Sequence, residues 1–397
     1  MRAPSSPVPA SAAMSGPVSA DHRPRPAAPA GEAARTSAAI GVARVVCILG
    51  MVYAHAWTGL GGDALAAAHG TPQGVLRWLL VEMFGRSAVP LLGMISGWLA
   101  AGSVVKRSYA GFLMSRARTI LAPMVLWNAL AVMLVSGAAL SGWINAPVPT
   151  GWGDWADELL CLGGPSDINV QMPFLRDLFV CMAAAPLLAR LPRGWLLAVA
   201  GLALAWSVSG VSVPLLLRPS ILAFFAVGML ARRERLEARV GALPIAALAV
   251  PFVALALAAA QVEAAGLAPP AWASGVLDIA LRFAAGAFFW AAAWRIARRA
   301  PADWLLKAEP FAFLMFCAHV TMIWLVGPLI GRVTGPLGSP LYPLFLIVQP
   351  PLVLLATVGV GRTLVRLAPA AAKVLSAGRL PARARSSLPL MGRVSGA

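Results

Sequence analysis

The sequence predicts an all-α fold, a polytopic transmembrane helical bundle of about ten helices. Three observations carry that prediction. The 397 residues are 59% apolar and only 12% charged, against about 25% charged in ordinary soluble domains. The apolar residues collect into ten runs of roughly the length that crosses a bilayer. Lys and Arg crowd into alternate loops between those runs, which is the pattern of the positive-inside rule and needs an even number of spans. The net charge of +17 would suit nucleic acid only if it lay on one solvated face; here it punctuates apolar segments, so nucleic-acid binding is excluded.

In chain order, residues 1–36 are rich in Ala, Pro and Ser and lack the continuous apolar core of a signal peptide. They predict a disordered cytoplasmic tail that is not cleaved. The apolar runs follow at about 37–58, 77–101, 119–140, 172–189, 195–209, 214–231, 241–260, 273–296, 310–330 and 341–364. They define a transmembrane domain over 37–366, followed by a basic cytoplasmic tail over 367–397. Lys106, Arg107, Arg116 and Arg118 follow the second run, Arg190 and Arg193 the fourth, Arg232, Arg233, Arg235 and Arg239 the sixth, and Arg295, Arg298, Arg299 and Lys307 the eighth. The opposite loops hold only Arg77 and Arg332. Both termini are therefore expected in the cytoplasm and the 141–171 loop outside. That loop carries Asp154, Asp157, Glu158 and Asp167 with Trp143, Trp152 and Trp155, which read either as an interfacial aromatic belt beside a solvated acidic loop or as rings able to stack on a sugar.

Polar side chains inside the runs are the candidates for function, because charge in lipid is costly. In the first run Arg44 and His55 lie eleven positions apart, which returns to within about 20° of the same helical face, roughly 16 Å along the axis. They read as a shared functional stripe, or as a snorkelling anchor and an interfacial histidine beside Trp57. Glu82 and Arg86 in the second run, and Asp278 and Arg282 in the eighth, are four apart and suited to structural pairing. Gly93, Ser96 and Gly97 make a narrow helix face that admits a close neighbour. Arg116 and Arg118 at a cytoplasmic edge suit phosphates or lipid headgroups. Arg176 and Asp177 point about 100° apart, so each is expected to need a partner on another helix. His319 is a lone histidine in the ninth run, and Cys47, Cys161, Cys181 and Cys317 have neither metal-ligand nor disulfide spacing.

Arg44-x10-His55 resembles the signature of integral-membrane acyltransferase family 3. AVPLLGMISGWLAAG, with Ser96, resembles that family's Ser-Gly segment; YAGFLMSRARTILAPMVLW, with Arg116 and Arg118, its arginine-rich entry to the third span. MPFLRDLFVC, with Arg176 and Asp177, and the stretch ending at His319 are similar to two further family blocks. The resemblance implies an O-acyltransferase that moves an acyl group, commonly acetyl, from acyl-CoA as co-substrate to a hydroxyl of a glycan, glycolipid or similar acceptor, without a metal. It implies catalysis by His55, as general base or through an acyl-histidine, phosphate binding by Arg44, and contacts of Arg116 and Arg118 with the nucleotide end. Ser96, Arg176, Asp177 and His319 would support substrate or structure. The bilayer is the expected environment, that of a bacterial inner or cytoplasmic membrane. The rival reading is a transporter or flippase for a polar or lipid-linked substrate, which also needs intramembrane charge, but the two halves show no matched broken helices.

Overall fold

The computed structural model describes residues 30–56, 62–85, 88–106, 108–163, 168–211, 213–299 and 302–380. All ten apolar runs form helices: α1 Ala30–Ala54, α2 Pro72–Ser103, α3 Tyr109–Leu140, then, after a short loop helix α4 (Trp152–Leu160), α5 Pro173–Leu188, α6 Arg193–Ser209, α7 Ser220–Glu234, α8 Ile245–Ala264, α9 Ala271–Ile296, α10 Ala302–Thr334 and α11 Tyr342–Leu367. Seven of them are long and apolar enough to cross a membrane. The other three, α5, α6 and α7, have 16, 17 and 15 residues, about 22–26 Å each against a hydrocarbon core of about 30 Å. Of the tail expected to be disordered over 1–36, residues 30–36 instead open α1, where Ala30, Ala33 and Ala34 with Glu32 in the first turn favour helix; residues 1–29, Trp57, Arg86 and Asp167 lie outside the described residues.

Local chemistry explains where the boundaries differ from expectation. α2 starts at Pro72, five residues early, because Thr71 caps it by accepting the Gly74 amide on Oγ1 and Pro72 needs no amide partner in the first turn. α7 starts late, at Ser220, because the backbone before it is held by Asp177. Completely buried, Asp177 accepts the amides of Leu217 (3.2 Å) and Arg218 (2.9 Å). Arg176 Nη1 donates to Asp177 Oδ1 at 3.0 Å, and its other nitrogen donates to the Pro214 carbonyl. The expectation that these neighbours need separate partners on other helices is corrected: they pair with each other and together clamp one loop.

The narrow face of α2 does what small residues permit. A Cβ on Gly97 would come within 1.9 Å of the Phe225 carbonyl oxygen, and one on Gly228 within 1.9 Å of the Met94 carbonyl oxygen, so α2 and α7 touch backbone to backbone. Asp278 and Arg282 pair at 2.6 Å within α9. Glu82 approaches Arg77 at 3.9 Å. By contrast α8 exposes Val250, Val253 and Leu257 on its outer side, as a helix apolar all round does against lipid. The chain past α11 folds back: α12, Pro369–Leu375, lies against α3, where the Trp127 indole donates to the Leu375 carbonyl at 3.0 Å.

Candidate active site

Two helices build the site. Arg44 on α1 donates to Glu309 on α10, Nη1 to Oε1 at 2.8 Å. Eleven residues further along α1, the His55 ring lies 5.4 Å, centroid to centroid, from that of His319, which follows Glu309 by ten residues on α10. Spacings that differ by one residue mean that α1 and α10 run side by side in the same direction, with an ion pair and a histidine pair as two rungs about 15–16 Å apart. Apolar packing fills the interval: Ile48, Met51 and Val52 on α1, Met315 and Phe316 on α10, all buried.

His319 is completely buried, and its Nδ1 faces the carbonyl oxygens of Phe316 (2.8 Å) and Met315 (3.1 Å). Carbonyls only accept, so Nδ1 carries the proton and Nε2 carries the lone pair. No hydrogen-bond partner reaches that Nε2 among the described residues. An unsatisfied basic nitrogen in a buried place is costly unless function requires it. His55 comes just past the end of α1, where its amide still bonds the Met51 carbonyl at 3.1 Å, so helical geometry continues to the residue that meets His319.

A chain of buried amides, which sequence reasoning did not single out, locks the turn that carries His319. Asn169 donates to Asn128 Oδ1 at 3.0 Å, and Gln171 Nε2 donates to Asn169 Oδ1 at 2.7 Å and to the Cys317 carbonyl at 3.3 Å. Asn128 donates in turn to the Leu159 carbonyl at 3.1 Å, tying the loop helix α4 to α3. The available signal was Asn128 itself, an amide in the apolar stretch PMVLWNALAVM.

The two rungs open onto two cavities. The ion pair faces a cavity of about 150 Å³ whose polar lining is Arg44, Ser96, Arg116, Glu309 and Arg379 and whose walls are apolar, Phe174, Leu175 and Leu178 among them. His55 lines a larger one of about 470 Å³, with Trp143, Asn145, Val320, Trp324 and Pro328. Along α10, residues 309–316 face the first and 320–328 the second, so His319 stands between them. Of the expected site residues, Arg44, Ser96 and Arg116 thus gather in one cavity, and His55 and His319 meet between it and the other. Arg116 also donates to Ser103 Oγ at 2.9 Å. Arg118 is exposed and points away, because residues two apart on a helix do not share a face. Arg176 and Asp177 serve the loop before α7, while their neighbours Phe174 and Leu175 wall the cationic cavity. Of the tryptophans of the 141–171 loop, Trp143 lines the His55 cavity, whereas Trp152 is 92% exposed.

Comparison with known proteins gives a family model described as an acyltransferase domain, matching residues 37–362. The Rhizobium meliloti (strain 1021) protein named Succinoglycan biosynthesis protein ExoH is 29% identical over 396 residues, covering 91% of this chain and 98% of that protein. No solved structure matches.

Proposed function

The chain belongs to the acyltransferase domain family and is an integral-membrane acyltransferase; from that premise we propose that it moves an acyl group, acetyl in the first instance, from acyl-CoA to a hydroxyl of a polysaccharide or its lipid-linked precursor. The observation that carries the proposal is the histidine pair between a cationic cavity and a tryptophan-lined one. Phosphate suits the guanidinium end, the slender pantetheine arm suits the apolar interval, and a sugar suits the larger cavity with Trp143, Trp324 and Asn145. The relative's name, which refers to succinoglycan biosynthesis, supports a glycan acceptor.

In this reading His55 takes the proton of the acceptor hydroxyl as its oxygen attacks the thioester carbonyl. The C–O bond forms, the C–S bond breaks, and the proton passes from His55 to the leaving thiolate to give the free thiol. His319, held with its Nε2 lone pair free, receives the second N–H of the His55 imidazolium and steadies it. The cationic cavity takes the cytoplasmic side, in line with the loop arginines, and the His55 cavity the outer side of a bacterial inner membrane, with both termini cytoplasmic.

The test is to incubate membranes containing the protein with acetyl-labelled acetyl-CoA and a succinoglycan-type oligosaccharide. Label is expected in base-labile ester on the sugar. Passage of the sugar across the membrane with no ester formed would replace the enzyme with a transporter.

A further inference from the structure

The segment beyond the family match enters the cationic cavity. After α12, Ala377 and Gly378 adopt left-handed backbone (φ 53° and 73°), with the Gly378 amide bonded to the Lys373 carbonyl at 2.7 Å. This reverses the chain, and for Ala377 it does so against the preference of an L-residue. Ser376, completely buried, ties the turn by donating to the Ala372 carbonyl at 2.6 Å. The next residue, Arg379, sets its guanidinium 4.0 Å over the Phe313 ring of α10 and lines the cavity with Arg44 and Arg116. Part of its side chain stays open to solvent, which places it at the mouth.

Among the described residues, three guanidiniums line the cavity against one carboxylate, Glu309, whose partner is Arg44. Such an excess of positive charge beside apolar walls is stable with an anion present. The anion must be small and multivalent at one end and thin and uncharged beyond, to fit about 150 Å³ walled by Leu, Phe and Met side chains. We infer that Arg379 is a donor-binding residue: with Arg44 and Arg116 it grips a phosphate group of the acyl-CoA, so the C-terminal segment completes the donor site from outside the family-matched region. This rests on the acyl-CoA reading above. The phosphate chemistry is shared by anionic lipid headgroups, and the experiment separates the two sources.

Coenzyme A and phosphate-free pantetheine are titrated into the purified full chain in nanodiscs, made either of phosphatidylcholine alone or with added phosphatidylglycerol. Arg379→Gln is expected to weaken coenzyme A binding about tenfold, the worth of one charge-assisted contact, and to leave pantetheine binding and the melting temperature unchanged. Arg379→Lys should recover part of the loss. In the wild type, coenzyme A but not pantetheine should shield Arg379 from phenylglyoxal, read by mass spectrometry, a measurement that stands even if the Gln variant does not fold. Wild-type affinity in the Gln variant, or equal labelling of Arg379 with and without coenzyme A, overturns the assignment while leaving the enzyme reading intact. A wild type that binds no coenzyme A removes both. Protection that follows phosphatidylglycerol instead of coenzyme A assigns Arg379 to lipid and overturns its role in the donor site.

Discussion

The meeting of His55 and His319 divides the chemistry from its scaffold at the level of single side chains. His55→Gln keeps a side chain of similar reach but cannot accept a proton near neutral pH, so transfer is expected to fall about 10²- to 10⁴-fold in labelled membranes while the protein stays folded. His319→Gln should cost less, since its part is to steady the imidazolium, and near-normal transfer by the His55 variant with a dead His319 variant would reverse the two roles. Activity should also decline as the medium is made more acidic, because protonation removes the lone pair that takes the hydroxyl proton. At the other rung, Arg44→Lys retains charge but loses the forked donor that meets both Glu309 and phosphate. The Michaelis constant for acyl-CoA should rise about tenfold with little change in the acceptor's; a donor constant unmoved by the substitution would take Arg44 out of that role.

Between elements, the decisive contact is α2 on α7, where no side chain separates the backbones. Gly97→Val would drive a Cβ into the Phe225 carbonyl, 1.9 Å away, and helices pinned by loops on both sides have little room to part. A loss of about 3 kcal/mol or more is expected, read as a lowered melting temperature or as absence of folded protein in the membrane, while the same substitution at Gly194, with open space around its Cβ position, should be mild. The loop helix α4 offers a gentler case. Asp154 accepts the amides of Thr150 and Gly151, both at 3.0 Å, and the Thr150 hydroxyl at 2.9 Å. The Gly151 amide first, and then Thr150, hold its pKa below the usual carboxylate value. Those bonds favour the charged form, so the anchoring is present at neutral pH, and is lost only as the pH falls through the depressed value in acid. Asp154→Ala should therefore speed amide exchange over 152–160 at neutral pH and change it little in acid; equal effects at both would assign the anchoring elsewhere.

For the molecule as a whole, orientation is the property with most consequences, because it decides which cavity meets the cytoplasm. Cysteines introduced at Asp154 and at Arg233 in a background lacking the native four, which are all buried, should label from opposite sides of sealed vesicles, Arg233 from the cytoplasmic side. Labelling of both from one side would break the even count of crossings. It would also show that one of the short helices α5, α6 or α7 does not traverse.

Composition and charge alternation were enough for the all-α membrane bundle and for its ten helices, because a bilayer leaves a backbone few ways to satisfy its hydrogen bonds and charges few places to go. The helical repeat was likewise enough to put Arg44 and His55 on one stripe, since that relation is local to α1. What they face was not legible. Glu309 and His319 come from α10, more than 250 positions along the chain, and nothing in either sequence segment encodes that the two helices lie side by side in matched register. The mutual pairing of Arg176 and Asp177, the amide chain behind His319 and the return of Arg379 are also products of packing. Each depends on which surfaces close against one another, and only the tertiary structure decides that.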